Sequence, residues 1–142
     1  MKQFTVFNMP SITREIDLSK GIRIPIRVTG PQASVRTMAV FSLTSLECQI
    51  SSALAKRMKL PTLGRYTVPT IFASRQKKSD IAYQIELEVI KGGLGMPIDR
   101  YPLQRVKATE SDLDNGIGIV LGLQILQRGL FTLNPQSFSF SF

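Results

Sequence analysis

The stretch Phe41-Ser42-Leu43-Thr44-Ser45-Leu46-Glu47-Cys48-Gln49-Ile50-Ser51 gathers hydroxyls, one thiol and one carboxylate into a short run. A hydroxyl or thiol becomes a useful nucleophile only beside a base that takes its proton, most often histidine. The chain holds no histidine and a single cysteine. Ser-His and Cys-His catalysis are therefore excluded, as is a zinc site of the usual His/Cys kind. A lone thiol also rules out an internal disulfide and a cysteine-cluster metal site. With no base to activate it, Cys48 reads as a small buried apolar residue. No metal and no cofactor are expected.

Charge offers a second kind of chemistry. Against 10 acidic residues stand 18 basic ones, for a formal charge of +8. Clustered cations create a field that attracts phosphate and other polyanions. Two clusters are evident: Lys56, Arg57 and Lys59, with Arg65 soon after, and Arg75, Lys77 and Lys78. Each is either a solvated face or a contact for RNA or an acidic protein segment. No aromatic-rich strand pattern of an RNA-stacking module accompanies them.

The elements that position these groups follow from periodicity. Ile22, Ile24, Ile26 and Val28 alternate with Arg23, Pro25 and Arg27, the period of a half-buried strand. Pro25 lacks an N–H and argues for an edge position. Gly30-Pro31-Gln32-Ala33-Ser34 is a turn, and Val35 to Phe41 completes a hairpin. Ser51 and Ser52 suit the N-cap of a helix through about Lys59, which Pro61 stops. Leu63 to Phe72 is strand-like but broken by Pro69, and residues 74–79 form a basic loop. Ile81, Tyr83, Ile85, Leu87 and Val89 define the clearest strand, and Pro97 to Ala108 is extended. A turn at 112–116 leads into Ile117–Gly122, then a short helix from Leu123 to Arg128 ending at Gly129. The tail Ser137-Phe138-Ser139-Phe140-Ser141-Phe142 places Phe138, Phe140 and Phe142 on one aromatic face. That face belongs inside the monomer or in a sheet shared by two copies, and the dimer contact is the expectation.

These pieces make one mostly-β domain of 142 residues with two short helices, 43% apolar and 20% charged. Residues 1–21 form an N-terminal arm or edge strand ahead of a domain over 22–142. No apolar run nears the roughly 20 residues needed to cross a bilayer. Residues 1–17 lack the apolar core of a signal peptide. An intracellular protein, cytoplasmic or nuclear and off the membrane, is expected.

The order and spacing of the segments resemble one protomer of a retropepsin-like aspartic protease, the family of retroviral and retrotransposon proteases. VRTMAVF-SLTS-LECQISSALAKRMKLP keeps that family's frame, with Ile50-Ser51, Leu54-Ala55, Met58 and Leu60-Pro61 where the pattern places them. IVLGLQILQRG over 119–129 is similar to the family's later apolar-Gly helix segment, and LFTLN continues it. The resemblance covers about residues 22–134. It implies a closed β-barrel of the acid-protease fold, a single lobe with one or two short helices. It also implies homodimerisation and a groove that takes a peptide in extended form under the segment 74–89.

The chemistry departs from that family. Ser42, Leu43 and Thr44 stand where the resemblance implies Asp, Thr or Ser, and Gly. In the active family two close carboxylates share a proton, one acting as base toward water and the other as acid. A serine hydroxyl without a base cannot replace them. Leu43 cannot make the loop-to-loop hydrogen bond, and Thr44 puts a β-branched side chain where glycine serves by lacking one. Asp80 and Asp99 have no Thr/Ser-Gly after them, and Asp112 and Asp114 fall in a turn.

The sequence therefore predicts a catalytically inactive member of the family: a homodimerising and peptide-binding module, of retroelement origin or part of a longer protein. Leu43, Phe138, Phe140 and Phe142 are its expected dimer contacts. The alternatives are a basic RNA-binding domain and an active aspartic endopeptidase.

Overall fold

The computed structural model describes residues 11–17, 19, 21–68, 78–91, 99–113 and 116–142. The alternation of Ile24, Ile26 and Val28 with polar neighbours does form a strand, β2 (Arg23–Thr29), whose three apolar side chains are fully buried. It turns back into β3 (Ser34–Phe41) in antiparallel register from Arg23↔Val40 to Thr29↔Ser34. β4 (Cys48–Ser51) leads straight into α1 (Ser52–Arg57), whose N-cap Ser51 accepts a hydrogen bond from the Leu54 N–H. The chain continues through β5 (Thr62–Val68), β6 (Lys78–Lys91) and β7 (Asp99–Ser111) to β8 (Ile117–Leu121).

These strands lie in the order β2-β3-β8-β4-β7-β6-β5, and the further pairing of β2 with β6 closes β2-β3-β8-β4-β7-β6 into a barrel. Closure removes the edges that an open sheet would expose. The expected edge position of Pro25 is corrected by this closure. β3 flanks β2 along its whole length, while β6 pairs only with Ile26 to Thr29. Pro25 sits just before the second partner begins, where a missing N–H costs no ladder bond on that side.

β8 lies between β3 and β4, parallel to the first and antiparallel to the second. After it come α2 (Leu123–Leu126), shorter than the periodicity predicted, β9 (Leu130–Leu133) and β10 (Ser137–Ser141). A separate antiparallel sheet has the order β1-β10-β9, with β1 (Ser11–Glu15) at one edge and β10 in the middle. Its inner face carries Ile12, Phe138 and Phe140, all fully buried in the same core as Ile24, Ile50, Leu87 and Leu121. Phe41, the last residue of β3, joins sheet to barrel. Its ring lies 5.4 Å from Phe131, 5.8 Å from Phe138 and 5.4 Å from Phe140. Offset and tilted pairs at such spacings add to the area they bury. Among the described residues, no helix is long and apolar enough to cross a membrane.

The end of α1 carries a measurable cost. Lys59 adopts φ 52°, donating its N–H to Lys56 O, while the Leu60 N–H reaches back to Ala55 O at 3.2 Å. This is the glycine-favouring Schellman termination with a lysine in the left-handed position. Lys59→Gly is therefore expected to stabilise the fold by about 1 kcal/mol. Chemical denaturation should show the midpoint moving up with the slope unchanged.

Candidate functional site

β3 ends at Phe41 and β4 begins at Cys48, so residues 42–47 must bridge two strands that β8 holds apart. The bridge crosses the end of β8 and is bonded to it. The Ser42 N–H donates to Leu121 O at 3.0 Å, the Leu123 N–H to Ser45 O at 2.8 Å and the Gln124 N–H to Leu46 O at 3.0 Å. Gly122 lies between them, and a Cβ there would come within 2.5 Å of Glu47 O and 2.7 Å of Ser45 O. No larger residue fits that approach without moving backbone. The two segments that carry the sequence resemblance, 41–51 and 119–129, are thus one site.

Within the loop, Ser42 is half-buried and Thr44 exposed, and their hydroxyls share a 3.1 Å hydrogen bond. The Thr44 N–H also donates to Ser42 Oγ at 3.3 Å. Leu43, at the tip, is 66% exposed, and Leu46 on the same loop is 39% exposed. The loop's one carboxylate, Glu47, faces Lys107, with Oε1 3.6 Å from Nζ. Its Oε2, like Gln124 Oε1, is buried without a hydrogen-bond partner among the described residues. Asp112 lies elsewhere, accepting a hydrogen bond from Ser52 Oγ at 3.3 Å. Asp80 and Asp99 belong to β6 and β7, and Asp114 lies outside the described residues. Chemically, the loop offers three hydroxyls, of which Ser42 and Thr44 are bonded to each other, and an apolar tip. No group of three Cys, Asp or Glu side chains among the described residues could hold a metal ion.

Cys48 follows the loop, fully buried. Burial pushes its thiol from an ordinary 9.0 up to about 11, with the Glu47 charge adding to the rise and a backbone hydrogen bond at Gly122 opposing it. A thiol so shifted is inert at neutral pH.

The remaining expected site residues scatter. Phe138 and Phe140, expected at a dimer contact, are buried inside their own chain. β10 is the central strand of its sheet, and its aromatic face packs on Phe41 and the barrel. Phe142 is half-buried and stacks on Phe140 with ring centres 5.4 Å apart. Lys56, Arg57 and Lys59 are exposed at the end of α1, where cations suit the helix dipole. Arg75 and Lys77 lie outside the described residues, and Lys78 opens β6. Sequence reasoning missed Leu46, Glu47 and Gln124 as parts of the loop's support. Only the apolar-Gly signature at 119–122 pointed toward them.

With this geometry in place, the chain can be set beside known proteins. No protein-family model and no curated protein matches it. Among solved structures it is similar to a retropepsin-like aspartic protease from Rickettsia conorii. The TM-score is 0.57 at 13% identity, over 100% of this chain and 98% of that one. A second similar structure is the retroviral protease-like domain of Ddi1 from Leishmania major, with TM-score 0.40 and 12% identity over 80% of this chain and 82% of that one. The fold is retropepsin-like: mostly β, a closed six-stranded barrel with two short helices.

The shifted thiol yields a pH prediction. A thiol whose folded value is raised holds its proton longer in the native state than in the unfolded one. Stability from this source is therefore complete below about pH 9 and lost as pH rises toward 11. The loss approaches roughly 3 kcal/mol across that window. Urea melts of wild type and Cys48→Ala between pH 8 and 11 should converge as the pH rises; parallel curves would refute the assignment.

Proposed function

We propose that this chain is a non-catalytic retropepsin-like domain that dimerises through the loop at 42–46 and binds a protein segment in extended form. The observation that carries the reading is the loop itself. Its backbone is tied to β8 and α2 at three points, yet Ser42 and Thr44 satisfy each other and Leu43 projects 66% exposed from the tip. A protease of this family needs ionisable carboxylates there, one protonated and one not. A hydroxyl pair has no group that titrates near neutral pH and no base to draw a proton away. An apolar side chain held out on a rigid turn suits association instead, because its burial gains free energy without ordering a mobile segment.

The dimer contact is revised accordingly. Leu43 and Leu46 supply it, and Leu130 and Leu133 of β9 are exposed at 66% and 58%. β9 is also an edge strand of its sheet, able to pair with another chain. Two copies related by a two-fold axis would bring Ser42 and Leu43 of each loop together. An extended peptide would pair along the flap-like β5–β6 region by strand addition.

A basic RNA-binding domain is the competing reading. Its support is the net charge of +8 and the exposed Lys56, Arg57 and Lys59. It requires an affinity for single-stranded RNA that falls steeply with salt.

Sedimentation equilibrium separates these readings. The wild type is expected to be dimeric at micromolar concentration. Leu43→Asp should raise the dissociation constant by about tenfold or more without altering the circular dichroism spectrum. A monomeric wild type would sink the dimer reading. Cleavage of a peptide library, blocked by a statine-type inhibitor, would sink the claim that the domain is non-catalytic.

A further inference from the structure

A second feature lies at the other end of the barrel. The turn joining β2 to β3 is separated from the 42–47 loop by the length of β3, on the order of 25 Å for eight residues of strand. A pocket of about 300 Å³ opens beside that turn. This is the small end of the range for ligand sites. Its walls are Gly30 and Pro31 on one side, Pro61 to Leu63 on the other, and Gln84 and Ile85 across the floor.

The strand register explains the opening. β7 occupies one edge of β6 from Ala82 to Lys91. Along the other edge β5 pairs from Lys78 to Tyr83, and β2 pairs from Glu86 to Val89. Neither strand pairs with Gln84 or Ile85. Successive residues of a strand aim their N–H and C=O groups at alternate edges, so one of these two presents both groups to the gap. Neither neighbouring strand can lengthen to fill it. β2 stops at a turn closed by the Gly30 N–H on Ala33 O at 2.9 Å and followed by Pro31. β5 starts after Pro61, and a register shift between Thr62 and Gly64 bulges Leu63 outward to 43% exposure. Proline brings no donor to a ladder.

We propose that this gap is a binding site for an extended peptide of a partner protein, two to three residues of which complete the missing rung of the β6 ladder. The peptide's backbone amide would bond Gln84 or Ile85. An apolar side chain would lie against Leu63, Pro31 and Pro61. Charge favours a peptide over nucleic acid. At the rim Arg105 and Glu86 form a 2.8 Å ion pair, so the lining itself carries no net charge for a polyanion to contact. The amide dipole and a small apolar group match what the walls present. The site is independent of the 42–46 loop and of any dimer built on it.

The test uses a random heptapeptide phage library selected on the full chain, with the enriched peptide then synthesised and titrated into ¹⁵N-labelled protein. Amide shifts are expected at Gly30, Gln84 and Ile85. Leu63→Asp, at an exposed bulge, should weaken binding about tenfold, and so should N-methylation of the pairing amide, which leaves the protein untouched. Leu43→Asp should leave binding unchanged, so the fate of the dimer reading stays separate. The proposal is overturned if no peptide enriches, if the shifts fall on residues 42–46, or if N-methylated and unmethylated peptides bind equally.

Discussion

The constraint on which the rest depends is the threading of β8 between β3 and β4. Two strands nearly consecutive in sequence are held one strand apart by a segment from far down the chain. The loop between them must pass over the end of β8, close enough that only a hydrogen atom fits at Gly122. Packed backbone of this kind does not deform gradually, because interiors are near crystal density. The path of the loop is therefore set by topology and by its backbone bonds to β8 and α2. Ser42, Leu43 and Thr44 stand on that path. The frame is specified by Leu121, Gly122 and the barrel, while the Leu43 tip stands exposed.

Phe41 extends the constraint. It is both the last barrel residue before the loop and the centre of the aromatic cluster formed with Phe131, Phe138 and Phe140. The small sheet β1-β10-β9 docks on the barrel through those rings, so the tail serves the monomer. Full burial of a phenylalanine contributes about 1.5–3 kcal/mol, a large share of a typical domain's net stability. Using the same face for a second copy would expose it whenever the copies part. Phe138 and Phe140 thus belong to the core, while Leu43, Leu46, Leu130 and Leu133 lie exposed outside it.

Much of this was legible in the sequence because it is local. Alternation marked β2, β3 and β6, a serine marked the start of α1, and the order of the segments marked the barrel. What stayed hidden is set by non-consecutive neighbours. Alternating phenylalanines reveal which side chains share a face, but only the position of β10 between β1 and β9 decides what covers it. Pro25 signals a missing donor, but only the late start of the β2–β6 pairing makes that harmless. The unpaired rung at Gln84 and Ile85 has no signature at all, since it arises where β2 and β5 each stop short on a shared edge.

The two ends of the barrel then have a common physical character. At one end a rigid loop presents an apolar tip and hydroxyls that satisfy each other; at the other a backbone rung lies open between prolines. Glu47 faces Lys107, and burial drives the Cys48 thiol up to about 11. General acid–base catalysis needs a group that exchanges a proton near the working pH. Strand addition and apolar contact need only fixed geometry, which the threaded strand and the closed barrel supply. Strand addition rests on backbone groups, which side-chain substitution does not remove.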